Sequence, residues 1–360
     1  MFNPFKEKDE LVEQGYLVKS EFENLVLYNY SKKCEYERYW IPATLSSRGT
    51  IYDKTTGIIV ARAFDKFFNY NQTIGTLIEN LPKSKPSISI KVDGSLGIGF
   101  QDQNGMWRVS TRGSFYSDQA VQATIMIESA KMTTWPSDWT PLFEIIYPEN
   151  RIITDYGDES ALYLIAARSK ETGAYASSVD LNTLARVCGF KRAKAVEMTL
   201  EEIMAALSEL PGNDEGFVAQ WPNLLVKFKG KRYMEIAKFK ASLNPLSIWD
   251  AIRDHTIQSL MEDCPDEFID EARRLFLYLT AQFDAINRHV NDLALSLNII
   301  GVSPNDADEM KRIASVIKTQ RKWVQPILYG VVRGYTIDAY IWRMLRPDGG
   351  QFADLSSVLE

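Results

Sequence analysis

The sequence predicts an α+β protein in two parts: an antiparallel-sheet-rich N-terminal domain, residues 1–243, and an all-α C-terminal domain, residues 244–360. Three observations predict it. At 360 residues the chain exceeds the usual length of one domain, so two cores are expected. Up to about residue 240 the chain reads mostly as short β-rich runs bounded by Gly, Pro, Asn or Asp. After Asn244-Pro245 such runs stop, and apolar residues recur at three- and four-residue intervals instead.

In chain order, the strand-like segments are "TGIIVARAF", "PSISIKV", "LGIGF", "MWRVST", "PLFEIIY", "ALYLIAA", "GFVAQW" and "LLVKFK". One helix between them is well marked. Thr199 as N-cap with Glu202 three residues on forms a capping box, and Pro211-Gly212 ends the helix. Beyond Pro245, Ser247 reads as an N-cap with Asp250 at N3. Phe268, Ala272, Leu275, Leu279, Phe283, Ile286, Val290 and Leu293 then form one apolar helix face. Further helices are expected over Asp306–Thr319 and Gln325–Leu345.

Composition excludes several classes. The net charge of −6 argues against a surface coated with nucleic acid, although a local basic cleft remains compatible with it. Cys34, Cys188 and Cys264 are far apart and form no CxxC, so neither a disulfide framework nor a zinc site is indicated. The two histidines, His255 and His289, both fall in the C-terminal third, which disfavours a Ser-His-Asp hydrolase and a His-ligated metalloenzyme. The N-terminus is charged at once, and the longest uncharged run, Leu293 to Asn305, is too short to span a bilayer. A soluble, cytoplasmic protein with no membrane partner is expected.

The stretch "ISIKVDGSLGIGF" poses the chemical question. Asp93-Gly94 between β-rich flanks is a hairpin signal, with Lys91 on the solvent face. Alternatively Lys91 is a nucleophile on a strand lip. Four other segments bear on the choice. In "LLVKFKGKRYMEIAKFK", period-two geometry puts Lys227 and Lys229 on one strand face and Val226 and Phe228 on the other. Such a pair suits a polyphosphate, or else protects a sheet edge, and its charge would lower the pKa of a nearby lysine. Glu144, inside the apolar run of "PLFEIIY", either lines a pocket or marks a solvent face, since buried carboxylates need partners. Glu215 precedes a glycine at a strand start, and by itself reads as a turn residue. Arg48, Lys66 and Phe68, in "SSRGT" and "FDKFFN", are either surface residues or a phosphate-binding set. The Gly94-Gly97-Gly99 cluster lacks the G-K-[ST] ending of a phosphate loop.

Taken in order, the pieces resemble the covalent nucleotidyltransferase superfamily, and within it the RNA ligase 1 family of T-even-type phages, the tRNA-repair type. "KVDGSL" resembles motif I, "FEIIYPENRI" motif III, "LYLIAARSKETG" motif IIIa, "EGFVAQ" motif IV and "LVKFK" motif V. "STRGSFYSDQA" is similar to the segment after motif I, with Arg112 where relatives often carry lysine; "SRGT" and "DKFFN" resemble upstream elements. The match covers about residues 45 to 240 and favours the nucleophile reading of Lys91.

The resemblance implies an ATP-grasp-like nucleotidyltransferase domain followed by a helical RNA- or tRNA-specificity domain. It implies that Lys91 attacks the α-phosphate of ATP, that AMP passes to an RNA 5′-phosphate, and that a 3′-hydroxyl then seals the break. Lys227 and Lys229 would act with Lys91 in catalysis and hold the phosphates. Arg48, Lys66, Phe68, Gly94, Arg112, Glu144 and Glu215 would complete the nucleotide site. Glu144, Glu215 and, more distantly, Asp254 would serve Mg²⁺, a hard cation suited to carboxylate and phosphate oxygens. The expected partner is RNA, a tRNA with a broken anticodon loop, met by a monomer in the host cytoplasm if the gene is a phage's. Competing readings are a DNA ligase or GTP-dependent capping-type enzyme, and a non-catalytic RNA-end-binding protein. Both DNA ligases and capping enzymes of the superfamily carry a β-barrel domain after motif V, which the helical pattern here disfavours.

Overall fold

In the N-terminal part, turn residues cut the β-rich sequence into strands too short to bury a core within one sheet. The computed structural model, which describes residues 5–265, 268–301 and 307–353, arranges them as three sheets. The first sheet is an antiparallel meander of β1 (Leu17–Phe22), β2 (Leu25–Tyr30), β3 (Arg48–Asp53) and β4 (Ile59–Ala61). The remaining strands are β5 (Phe68–Asn69), β6 (Ser87–Ile90), β7 (Ser95–Gln101), β8 (Trp107–Thr111), β9 (Trp139–Ile146), β10 (Ala161–Ser169), β11 (Lys191–Arg192), β12 (Ala195–Val196), β13 (Gly216–Trp221) and β14 (Leu224–Lys229). They form one sheet in the order β11-β10-β9-β7-β8 and another in the order β12-β6-β13-β14-β5. The pairs β10–β11 and β14–β5 are parallel, and the other pairs are antiparallel.

This topology answers the hairpin question. β6 and β7 do not pair; they belong to different sheets. Val92-Asp93-Gly94 is therefore a crossover between sheets, and it leaves Lys91 just past the end of β6. Asp93 pins the crossover. Its Oδ2 accepts from the Ile153 and Thr154 amides, both at 2.9 Å, and its Oδ1 from the Tyr233 hydroxyl at 2.8 Å. Tyr156 accepts from the Asp93 amide at 2.9 Å. Gly94 is required by closeness: a β-carbon there would stand 2.6 Å from the Ile145 carbonyl oxygen.

Alternation supplies the cores. Leu27 and Ile51 of the first sheet meet Ile98, Phe100, Leu142 and Ala166 of the second, a layer of fully or nearly fully buried side chains. The opposite face of the second sheet, including Val109, Phe143, Ile145 and Leu164, is covered by the helices Asp118–Glu128 and Ser178–Cys188. The third sheet packs Ala219, Val226 and Phe228 against Ile203 of the helix Leu200–Glu209. That helix has the expected capping box, with Thr199 Oγ1 accepting from the Glu202 amide at 3.1 Å and Glu202 accepting from the Thr199 amide at 2.7 Å.

No strand follows β14 among the described residues, and no helix among them is long and apolar enough to cross a membrane. The chain divides into two compact units, Met1–Glu235 and Ile236–Glu360. The division falls inside the helix Lys231–Ser242, whereas the sequence reading placed the junction at Asn244-Pro245. In the second unit, the helix Ile269–Ser296 buries Ala272, Leu279, Ile286 and Val290 of the expected stripe. Two details differ from the sequence reading. The N-cap of the helix Pro245–Arg253 is Asn244, boxed with Ser247, because Pro245 suits the first helical position. The segment expected as one helix to Leu345 is two, Gln325–Val332 and Asp338–Met344, broken where Gly334 takes φ +69°. The helix Ala307–Lys318 matches expectation; Asp306 lies outside the described residues.

Candidate active site

The ends of β3, β6, β9, β13 and β14 converge on a cavity of about 930 Å³ in the first unit. Lys91 lies on its wall, with its side chain only 19% exposed. Glu215, 3% exposed, is set at the mouth of β13 by Gly216, whose φ of +134° and contact with the Phe228 carbonyl admit no side chain. The Lys91 amide donates to the Gly216 carbonyl at 2.8 Å, so backbone pairing brings the lysine and the carboxylate together. Lys91 Nζ donates to Glu215 Oε2 at 2.6 Å, and Lys229 Nζ lies 2.8 Å from Glu215 Oε1. One carboxylate thus bridges two ammonium groups.

The expected face pairing of β14 is present. Lys227 and Lys229 line the cavity, and Val226 and Phe228 are fully buried behind them. Lys227 has no carboxylate partner among the described residues; its ammonium stands 4.4 Å from the Phe67 ring centroid. Burial, reinforced by the charges of Arg48, Lys91, Lys66 and Lys229, pushes the Lys227 amine down to about 6. Glu144, on β9, also lines the cavity and accepts from the Gly94 amide at 3.0 Å. Burial raises its carboxyl to about 7, against the pull of Lys91 and with a push from Glu215.

The ionisation of Lys91 corrects a sequence expectation. Neighbouring cations were expected to strip the proton from Lys91. Burial does act in that direction, but the charges of Glu215 and Glu144 outweigh it, and the pKa of Lys91 is raised. In this structure the cationic neighbours lower Lys227 instead, because Glu215 stands nearest to Lys91.

Arg48 and Arg112 line the cavity, as does Gly94. Arg48 Nη1 is buried without a hydrogen-bond partner, and its guanidinium carbon is 5.3 Å from the Phe67 centroid. Arg112 Nη1 donates to the Tyr30 hydroxyl at 2.7 Å. Lys66 and Phe68 are close by but do not line the cavity. Lys66 pairs with Glu35 at 2.8 Å and sits among the rings of Tyr30, Trp40 and Phe68. Of the two adjacent phenylalanines it is Phe67 that lines the cavity, because Phe68 is turned by its β5 position toward Trp40. Asp254 does not line the cavity. It belongs to the second unit, where Arg253 holds both its oxygens at 2.8 Å.

Several side chains here carried no sequence signal. Arg168 is buried and grips Asp65 with two hydrogen bonds, at 3.0 and 2.7 Å, while donating to the Ala63 and Gly173 carbonyls. It fixes the segment that bears Lys66 and Phe67. Tyr175 stacks on Phe64 with centroids 5.7 Å apart, and both line the cavity. No local pattern announces an arginine partner a hundred residues away.

Among the described residues no cluster of three or more His, Cys, Asp or Glu side chains is arranged to hold a metal ion. Glu144 and Glu215 offer two carboxylates, which fits a cation such as Mg²⁺ that keeps water and takes further oxygens from substrate phosphates.

A family model described as RNA ligase matches residues 46–241, just over half of the chain. The chain belongs to the T4-type RNA ligase family. It is similar to the putative bifunctional polynucleotide kinase/RNA ligase of Autographa californica nuclear polyhedrosis virus, 26% identical over 73% of this chain and 40% of the viral protein. It is also similar to a putative RNA ligase of Thermovibrio ammonificans, 25% identical over 87% of this chain and 77% of that protein. The fold is similar to that of an archaeal ATP-dependent RNA ligase, with a TM-score of 0.50 at 15% identity, covering 78% of each chain. The family's nucleotidyltransferase fold accounts for the antiparallel sheets of the first unit.

Proposed function

We propose that the protein is an ATP-dependent RNA ligase that joins 5′-phosphate and 3′-hydroxyl RNA ends, with Lys91 as the nucleotidylated residue. The observation that carries this reading is a largely buried lysine on a cavity wall, bridged through Glu215 to Lys229, with Arg48, Arg112 and the amine of Lys227 on the same wall. A polyphosphate entering that cavity meets a basic lining already in place. Arg48 offers a buried donor with no other partner.

In the first step the Lys91 amine attacks the α-phosphorus of ATP. An N–P bond forms, the bond to the bridging α–β oxygen breaks, pyrophosphate leaves, and a proton is lost from nitrogen. The Lys91–Glu215 contact must loosen for the amine to be free, since Glu215 favours its charged form. Lys227 and Lys229 then hold the phosphates in line, and Glu144 can carry a proton near neutral pH. A divalent cation between the carboxylates and the phosphates would supply charge neutralisation. AMP next passes to an RNA 5′-phosphate, and a 3′-hydroxyl displaces it to seal the strand.

We assign residues 1–243 to adenylyl transfer and residues 244–360 to the choice of RNA, a nicked tRNA anticodon loop, by a monomeric protein in the cytoplasm, the host's if the gene is a phage's. The likeness of this chain to RNA ligases supports the reading. Incubation with α-labelled ATP and Mg²⁺ should leave acid-sensitive label on the wild type and none on Lys91→Ala. Label persisting on Lys91→Ala would remove the nucleophile. GTP and nicked DNA should compete poorly with ATP and broken tRNA.

A further inference from the structure

Lys66 has every direction of its ammonium occupied. Glu35 Oε1 is 2.8 Å away, the Tyr30 hydroxyl 3.3 Å, and three ring centroids lie within 5.7 Å: Tyr30, Trp40 and Phe68. The lysine side chain is 9% exposed, whereas Glu35 on the short helix Lys32–Glu37 is 54% exposed. Among the described partners of Lys66, Glu35 is the most exposed, so its carboxylate reaches water most readily. Tyr30 ties this cage to the cavity, since its hydroxyl also accepts from Arg112. Glu35 in turn feels the field of the cavity's cations. The Lys66 hydrogen bond, opposed by burial and assisted by the charges of Lys66, Arg112 and Lys227, holds its carboxyl below the ordinary range.

We propose that Glu35 is an internal counter-ion that stands in for an anionic ligand group, competing with the terminal phosphates of a nucleoside triphosphate, and with pyrophosphate, for Lys66. This rests on the ligase reading above and deepens it. With the cavity empty, Glu35 neutralises a lysine that would otherwise be buried with no anionic partner. When a polyphosphate arrives, its oxygens replace the carboxylate and Glu35 turns outward. Because the exchange trades one anion for another, Glu35 weakens the binding of triphosphate and eases the departure of pyrophosphate.

The test is Glu35→Gln, which keeps shape and an acceptor but removes the charge. Calorimetry with inorganic pyrophosphate as the probe should show binding tightened about 5- to 10-fold, near 1 kcal/mol. In label formation KM for ATP should fall by a similar factor with kcat little changed, and the gain should vanish when Lys66→Ala is combined with it. Unchanged pyrophosphate affinity would overturn the proposal. Weakened affinity would overturn it too, making Glu35 a residue that positions Lys66 for the ligand. The probe needs no catalysis, so the ligase reading can fail, by absence of Lys91 label, while the counter-ion role stands.

Discussion

At neutral pH, Glu144 lies near the middle of its titration and Lys227 is mostly neutral, because burial acts on the two with opposite sign. Burial disfavours charge, so the carboxyl rises to about 7 and the amine falls to about 6. The linkage follows. Glu144 has a folded pKa above its unfolded one, so its relative stabilisation is complete below the ordinary carboxylate value and is lost as pH rises through 7. Glu144→Gln should therefore raise stability at pH 8, by an amount on the order of 3 kcal/mol, and change it little at pH 4. Lys227 has a folded pKa below its unfolded one, so the deficit grows as pH falls from 10.5 to 6 and is constant below that. Lys227→Met should stabilise the ligand-free protein most at pH 6 and least above pH 10.5. Thermal melts across that range check both signs, and a matching loss of sealing by Lys227→Met would separate stability from function. Lys227, Lys229 and Glu144 were legible as candidates because strand alternation is local. The ionisation of Lys91 was not, because it turns on whether the anion or the cations come nearest.

At the scale of elements, β13 and β14 carry the site. Their register pairs Gly216 with Lys229 and Val218 with Lys227, so Glu215 arrives beside the cationic edge without any side-chain adjustment. Gly216→Ala should destabilise by at least about 2 kcal/mol, since it strains a positive φ and presses on the Phe228 carbonyl. Variants that still fold should lose Lys91 label, which acid-quenched labelling checks against circular dichroism. Strands β4, β6 to β10, β13 and β14 were readable from β-rich runs and turn residues, whereas β1 to β3 were not among the segments read. Their partners were not: "KVDGSL" has the composition of a hairpin, yet β6 and β7 lie in different sheets. Asp93 makes the difference through Ile153, Thr154 and Tyr233, contacts spanning 60 to 140 residues.

For the whole molecule, the helix Lys231–Ser242 runs across the division at Glu235/Ile236. A chain ending at residue 243 keeps that helix entire and should still take label on Lys91, while losing the proposed preference for broken tRNA over linear RNA. A chain ending at residue 235 cuts the helix after one turn and should lose stability, which melts of the two truncations compare. From sequence alone came the α+β class, many of the strand and helix segments and the helical C-terminal part, because periodicity, caps and turns act over a few residues; the set of charged residues came from the family resemblance. Tertiary structure alone decided the rest: that Glu215 bridges Lys91 and Lys229, that Phe67 and not Phe68 lines the cavity, and that Glu35 occupies Lys66. Coulomb energy and desolvation depend on distances of a few ångströms between residues far apart in the chain, and only the packed sheets set those distances.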